Sequence, residues 1–115
     1  MMSDPLNLRA RSGLPPLTVE KIIGVLARHG GIDKAVLYGS RAMGNYKNGS
    51  DIDLTLYGAR LRHSDLITIM VELDDLLLPY SIDLSLVGTI HHQELLDHIQ
   101  RVGVIFYERG TEMEQ

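Results

Sequence analysis

The chain predicts a small α+β domain, a mixed β-sheet with helices packed mainly on one of its faces. Two segments, "DIDLTLY" (51–57) and "SIDLSLV" (81–87), alternate apolar and polar residues with the period of a half-buried strand. Two longer stretches, beginning near Thr18 and Ser64, repeat apolar residues at the helical period. Helix-like and strand-like segments alternate along 115 residues, a length that suits a single core.

Residues 1–17 mix Pro, Gly and charge without periodicity and read as a flexible N-terminal arm carrying Arg9 and Arg11. The domain proper is expected over 18–107. Thr18 is a candidate N-cap, and Val19, Ile22, Ile23 and Leu26 form a core-facing stripe. His29-Gly30-Gly31 should end that helix, glycine relieving left-handed strain and His29 meeting the last carbonyls. Ala35–Tyr38 is a short apolar run halted by Gly39, hence a buried strand. Ser40–Met43 allows one or two helical turns before Gly44, and Asn48-Gly49 marks a turn.

In the strand that follows, Ile52, Leu54 and Leu56 share one face; Asp51, Asp53, Thr55 and Tyr57 share the other. Ser64 is read as the cap of a second long helix, buried through Leu66, Ile69, Met70, Leu73, Leu76 and Leu77 and stopped by Pro79. Ile67, Val71 and Leu78 fall off that stripe and offer an apolar flank. Ile82, Leu84 and Leu86 point inward on the next strand, opposite Asp83 and Ser85. A third helix from Thr89 carries Leu95, Ile99 and Val102; Gly103 ends it, Val104–Tyr107 closes the sheet, and 108–115 form an exposed tail.

Composition narrows the function classes. A net charge of −4 and a pI near 5.6 argue against stable nucleic-acid binding through a basic face. The absence of cysteine excludes disulfides, thiolate metal sites and a cysteine nucleophile. With no signal-like start and no apolar run of membrane-spanning length, a cytoplasmic location away from membranes is expected. A domain this small leaves much of its surface open, so homo- or hetero-oligomerisation is plausible.

The chemistry sits in "GSRAMGNYKNGSDIDL" (39–54). Alternate strand residues lie on one face about 6.6 Å apart, close enough for two carboxylates to lean together and share cations. Without cations the pair is costly, since like charges 4 Å apart repel by about 4 kcal/mol at an effective dielectric of 20. Hard carboxylate oxygens suit Mg²⁺, and a pair of such ions clamps the attacking and leaving oxygens of a phosphoryl displacement. Asp51 and Asp53 offer that bridge, and Asp83 is the other aspartate in a comparable strand context. Gly39 and Ser40, where a strand turns into a helix, present backbone N–H groups and a hydroxyl to phosphates. A lone D-x-D or Gly-Ser carries little information; the ordered set carries much more.

With those residues in place, the chain resembles the DNA polymerase β-type nucleotidyltransferase superfamily and, by its length, the minimal nucleotidyltransferase branch. The shared pattern is "GSRAMG…SDIDL" with the later "SIDLS", and the resemblance spans about residues 18–107. It implies the polymerase β-like fold and Mg²⁺-dependent transfer of a nucleoside monophosphate from ATP or another NTP. By the same likeness Asp51 and Asp53 bind both ions, while Asp83 completes the ion that activates the acceptor hydroxyl. Minimal members are commonly paired with a HEPN-domain protein in toxin–antitoxin modules, some adding AMP to a tyrosine of the toxin. Acceptor recognition is then expected to come from that partner.

Other residues admit plainer readings beside functional ones. Arg41 is a candidate for a phosphate or for a partner's acidic group, set against mere exposure. Ser50 is a candidate site residue that orients Asp51 or caps the turn. Lys47 and "RLRH" (60–63) read as solvated. His91, His92 and His98 lie near Glu94 and Asp97, but no two of these histidines have the spacing of four that a helical zinc pair uses. Two non-enzymatic alternatives stand: an antitoxin that masks a HEPN partner through the 64–78 helix, and a nucleotide sensor without turnover.

Overall fold

The computed structural model describes residues 12–110, so Arg9, Arg11 and 111–115 lie outside it. The elements run α1 (Pro16–Ala27), β1 (Lys34–Tyr38), α2 (Gly39–Met43), β2 (Ile52–Tyr57), α3 (His63–Asp74), β3 (Ile82–Leu86), α4 (Gln93–Val102) and β4 (Val104–Glu108). A short 3₁₀ turn, Val87–Thr89, precedes α4. The strands form one sheet in the order β3-β2-β1-β4. β1 pairs antiparallel with β2 and β4, while β2 and β3 run parallel, joined through α3 as a parallel pair requires. The mixed sheet and α+β class are those the sequence predicts.

Alternation in the strands decides which side of the sheet is dry. Ala35, Leu37, Ile52, Leu54, Leu56, Leu84 and Leu86 pack with Val19, Ile22, Val25 and Leu26 of α1 and Ile69 and Leu73 of α3. On the opposite face α4 seats Ile99 against Val36 and Tyr38 of β1. That face of β2 and β3 carries Asp53, Thr55, Asp83 and Ser85.

Element ends depart from the sequence reading in ways that sterics explain. The packed chain begins before Thr18: Ser12 and Leu14 are buried, and α1 starts at Pro16. Proline's fixed φ suits the first turn of a helix, so Pro16 opens it while Thr18 is buried within it. No left-handed glycine ends α1. Instead Arg28 N and His29 N donate to Val25 O and Leu26 O, tightening the last turn. His29 does not cap; its Nε2 meets Glu72 Oε1 of α3 at 2.7 Å, tying the two helices together.

α3 begins at His63, with Arg62 N donating to the Asp65 carboxylate at 2.8 Å, and it stops at Asp74 rather than near Leu78. Leu77, past the helix end at φ 55, is 87% exposed, and Met70, within α3, faces outward; neither joins the core. With Ile67 and Val71, also exposed, they give α3 an apolar outer flank. α4 begins at Gln93 instead of Thr89, because His92 Nδ1 accepts from Leu95 N and sets the cap there. Among the described residues no helix is long and apolar enough to cross a membrane.

Candidate active site

The strand register brings two of the three predicted carboxylates face to face. Asp53 of β2 pairs with Asp83 of the parallel β3, and Tyr38 of β1 pairs with Asp53 from the other side. Residues paired across adjacent strands stand about 4.8 Å apart and point to the same face. Asp51 precedes β2 and is exposed; its charge and that of Asp83 both act on Asp53. Below the carboxylates lies a layer of hydroxyls. Ser85 Oγ donates to Thr55 Oγ1 at 3.0 Å, Ser85 also bonds the Tyr38 hydroxyl, and Thr55 is 0% exposed.

The electrostatics follow from this crowding. Partial burial first, then the charges of Asp83 and Asp51, push the Asp53 carboxyl from 3.8 to about 6. Burial, opposed by the Ser85 bond and reinforced by Asp83 and Asp53, likewise raises the Tyr38 phenol. A raised carboxyl binds its proton more tightly folded than unfolded, so its stabilising contribution is complete below about pH 4 and lost as pH passes about 6. In metal-free buffer, thermal stability should therefore decline across that window by more in the wild type than in Asp53→Asn. Discounted for the group's partial exposure, the difference is about 1 kcal/mol, or roughly 4 °C in melting temperature. Parallel melting curves at pH 4 and 7 measure it; equal slopes would contradict the crowding.

The Gly-Ser elbow sits directly against this cluster. Gly39 has φ +76, and a Cβ built on it would collide with the Asp53 carboxylate, so only glycine lets β1 turn into α2 at this point. Its N–H is not free for a phosphate as expected: it donates to His98 Nε2 at 3.1 Å, and the His98 ring stands edge-on to Tyr38. Ser40 and Arg41 have backbone N–H groups in the first turn of α2, which lack partners within the helix.

The remaining predicted site residues make contacts within the protein. Arg41 is not on the surface: it is 3% exposed, donating Nη1 to Ser12 O at 2.8 Å and Nε to Ser50 O at 3.2 Å. The Ser50 hydroxyl accepts from Lys47 N at 2.8 Å and closes the loop. The histidines separate, His92 capping α4 and His98 holding Gly39, so they do not converge on a metal. Neither Arg41's burial nor His98's contact was visible in the sequence, since both depend on segments far apart along the chain.

The donor set fits Mg²⁺: oxygen only, anionic and crowded enough that a cation relieves it. Among the described residues no three His, Cys, Asp or Glu side chains close a metal shell unaided.

A strand pair presenting carboxylates beside a Gly-Ser elbow is the arrangement that the resemblance to nucleotidyltransferases implies. The chain belongs to the Polymerase beta nucleotidyltransferase family, whose sequence pattern matches residues 20–112. No curated protein sequence matches it. Among solved structures, a toxin–antitoxin with AMP-PNP contains a chain similar at a TM-score of 0.65 and 21% identity, covering 84% of this chain and 77% of that one. The tri-AMPylated Shewanella oneidensis HEPN toxin in complex with MNT antitoxin gives 0.60 and 20%, covering 85% and 76%. A Sulfolobus solfataricus protein assigned to the nucleotidyltransferases gives 0.54 and 18%, covering 96% and 93%. At these identities the likeness is one of fold.

Proposed function

We propose that the chain is a Mg²⁺-dependent nucleotidyltransferase that moves a nucleoside monophosphate, AMP from ATP foremost, onto a hydroxyl of a HEPN-domain toxin. It would thereby act as the antitoxin of the pair. The observation that carries this reading is the pairing of Asp53 with Asp83 across parallel strands, with Asp51 adjoining, in a chain of this family. The toxin–antitoxin complexes that share its fold support the choice of partner and of nucleotide.

Asp51, Asp53 and Asp83 would hold the ions, and the first-turn N–H groups of α2 would face the triphosphate. When bound, paired Mg²⁺ ions neutralise charge on the attacking and leaving oxygens. The acceptor oxygen bonds to the α-phosphorus as the bond to the β-phosphate oxygen breaks, and pyrophosphate departs. Asp83, exposed on the edge strand, would complete the ion that activates the acceptor hydroxyl and would take its proton. Gly39, fixed by His98, keeps the Asp53 carboxylate seated against the elbow.

Incubation with α-labelled ATP, Mg²⁺ and a HEPN partner should label a hydroxyl side chain of the partner and release pyrophosphate. Absence of transfer from all four NTPs would overturn the reading.

A further inference from the structure

We propose that Arg41 is a positioning residue for the Asp51 carboxylate, locked in place by the segment that buries Ser12 and Leu14; this rests on the nucleotidyltransferase reading above. Ladder register holds Asp53 and Asp83, but Asp51 precedes β2 and has no ladder partner there. Its place is set by its two flanking peptides. On one side Ile52 N donates to Ser81 O at 2.9 Å; on the other the Ser50 carbonyl accepts from Arg41 Nε at 3.2 Å.

Arg41 can do this because it is itself fully constrained. Its guanidinium lies over the rings of Tyr46 and Tyr80, 4.9 and 5.1 Å from their centroids, and donates to Ser12 O. Ser12 is buried, Leu14 joins the main core, and a Cβ on Gly13 (φ +72) would strike the Tyr46 ring. Among the described residues no carboxylate pairs with Arg41. Burying a charged side chain is costly unless it is well bonded, and an apolar residue of similar volume often packs as well. What the guanidinium adds is direction: a rigid fork grips two carbonyls at once, which a lysine ammonium does not reproduce. Residues 12–14, Arg41, Tyr46 and Tyr80 thus form one brace behind the loops that lead into Asp51 and Asp83.

The test uses the full chain and Mn²⁺ alone, with free Mn²⁺ read by its EPR signal well below the melting temperature. Arg41→Lys and, as an independent route to the same brace, Gly13→Ala should each remain folded yet bind Mn²⁺ about tenfold more weakly, the range seen when supporting partners of ligands are removed. The Arg41→Lys effect should vanish in an Asp51→Asn background, a coupling that a merely structural role would not produce. Folded variants binding within about twofold of wild type, or an effect undiminished by Asp51→Asn, would overturn the positioning role alone. If Arg41→Lys does not fold, Gly13→Ala decides. Failure of the wild type to bind Mn²⁺ both alone and with a non-hydrolysable ATP analogue would overturn the functional reading as well.

Discussion

Replacing Asp51 and Asp53 together with asparagine should abolish nucleotidyl transfer, lowering the rate by at least about a thousandfold while leaving the fold intact. Two of the three proposed anionic ligands are then gone, and a loss of only about 4 kcal/mol of transition-state stabilisation already gives that factor. The substitutions keep the shape of both side chains, so packing around Ile52 and Leu54 is untouched. They also remove the carboxyl that partial burial first, and then the charges of Asp83 and Asp51, push to about 6. The inactive variant should therefore melt no lower than wild type in metal-free buffer at neutral pH. It should lose most of the stabilisation that Mg²⁺ and NTP confer on the wild type. A transfer assay beside melting curves measures both. The same variant separates catalysis from masking through the exposed α3 flank: a masking protein would still neutralise its toxin, whereas an adenylylating one would not.

The second large effect is expected at Gly39→Ala. A left-handed φ costs an L-residue about 1–2 kcal/mol, and here the added Cβ also meets the Asp53 carboxylate. The variant should lose roughly 10 °C of melting temperature. Displacing Asp53 by even 1 Å should cost about a hundredfold in transfer rate. The thermal loss should shrink in an Asp53→Ala background, where the carboxylate is absent, because residues in contact do not contribute additively. An undiminished loss would place the strain elsewhere than at Asp53.

The sequence made the carboxylate face legible because strand alternation is local. "DIDLTLY" and "SIDLSLV" place Asp53 and Asp83 opposite the core whatever the strand order. It did not reveal that β2 and β3 are parallel neighbours, which depends on how α3 crosses over. Arg41 read as a phosphate candidate beside Gly-Ser, but its setting is made by Ser12, Tyr46 and Tyr80, contacts that no periodicity encodes. The same holds for His98 against Gly39, 59 residues away along the chain. Pro15 and Pro16 looked like the end of an arm because proline breaks helix interiors. At a first turn it does the opposite.

The central claim is that Asp51, Asp53 and Asp83 together hold paired divalent ions against a nucleotide's phosphates. A crystal grown with Mn²⁺ and a non-hydrolysable ATP analogue tests it directly through the anomalous signal of manganese. The account predicts two peaks about 3.5–4 Å apart, bounded by those three carboxylates and the triphosphate. Manganese bound elsewhere, or a triphosphate seated away from the Gly39 elbow, would contradict it.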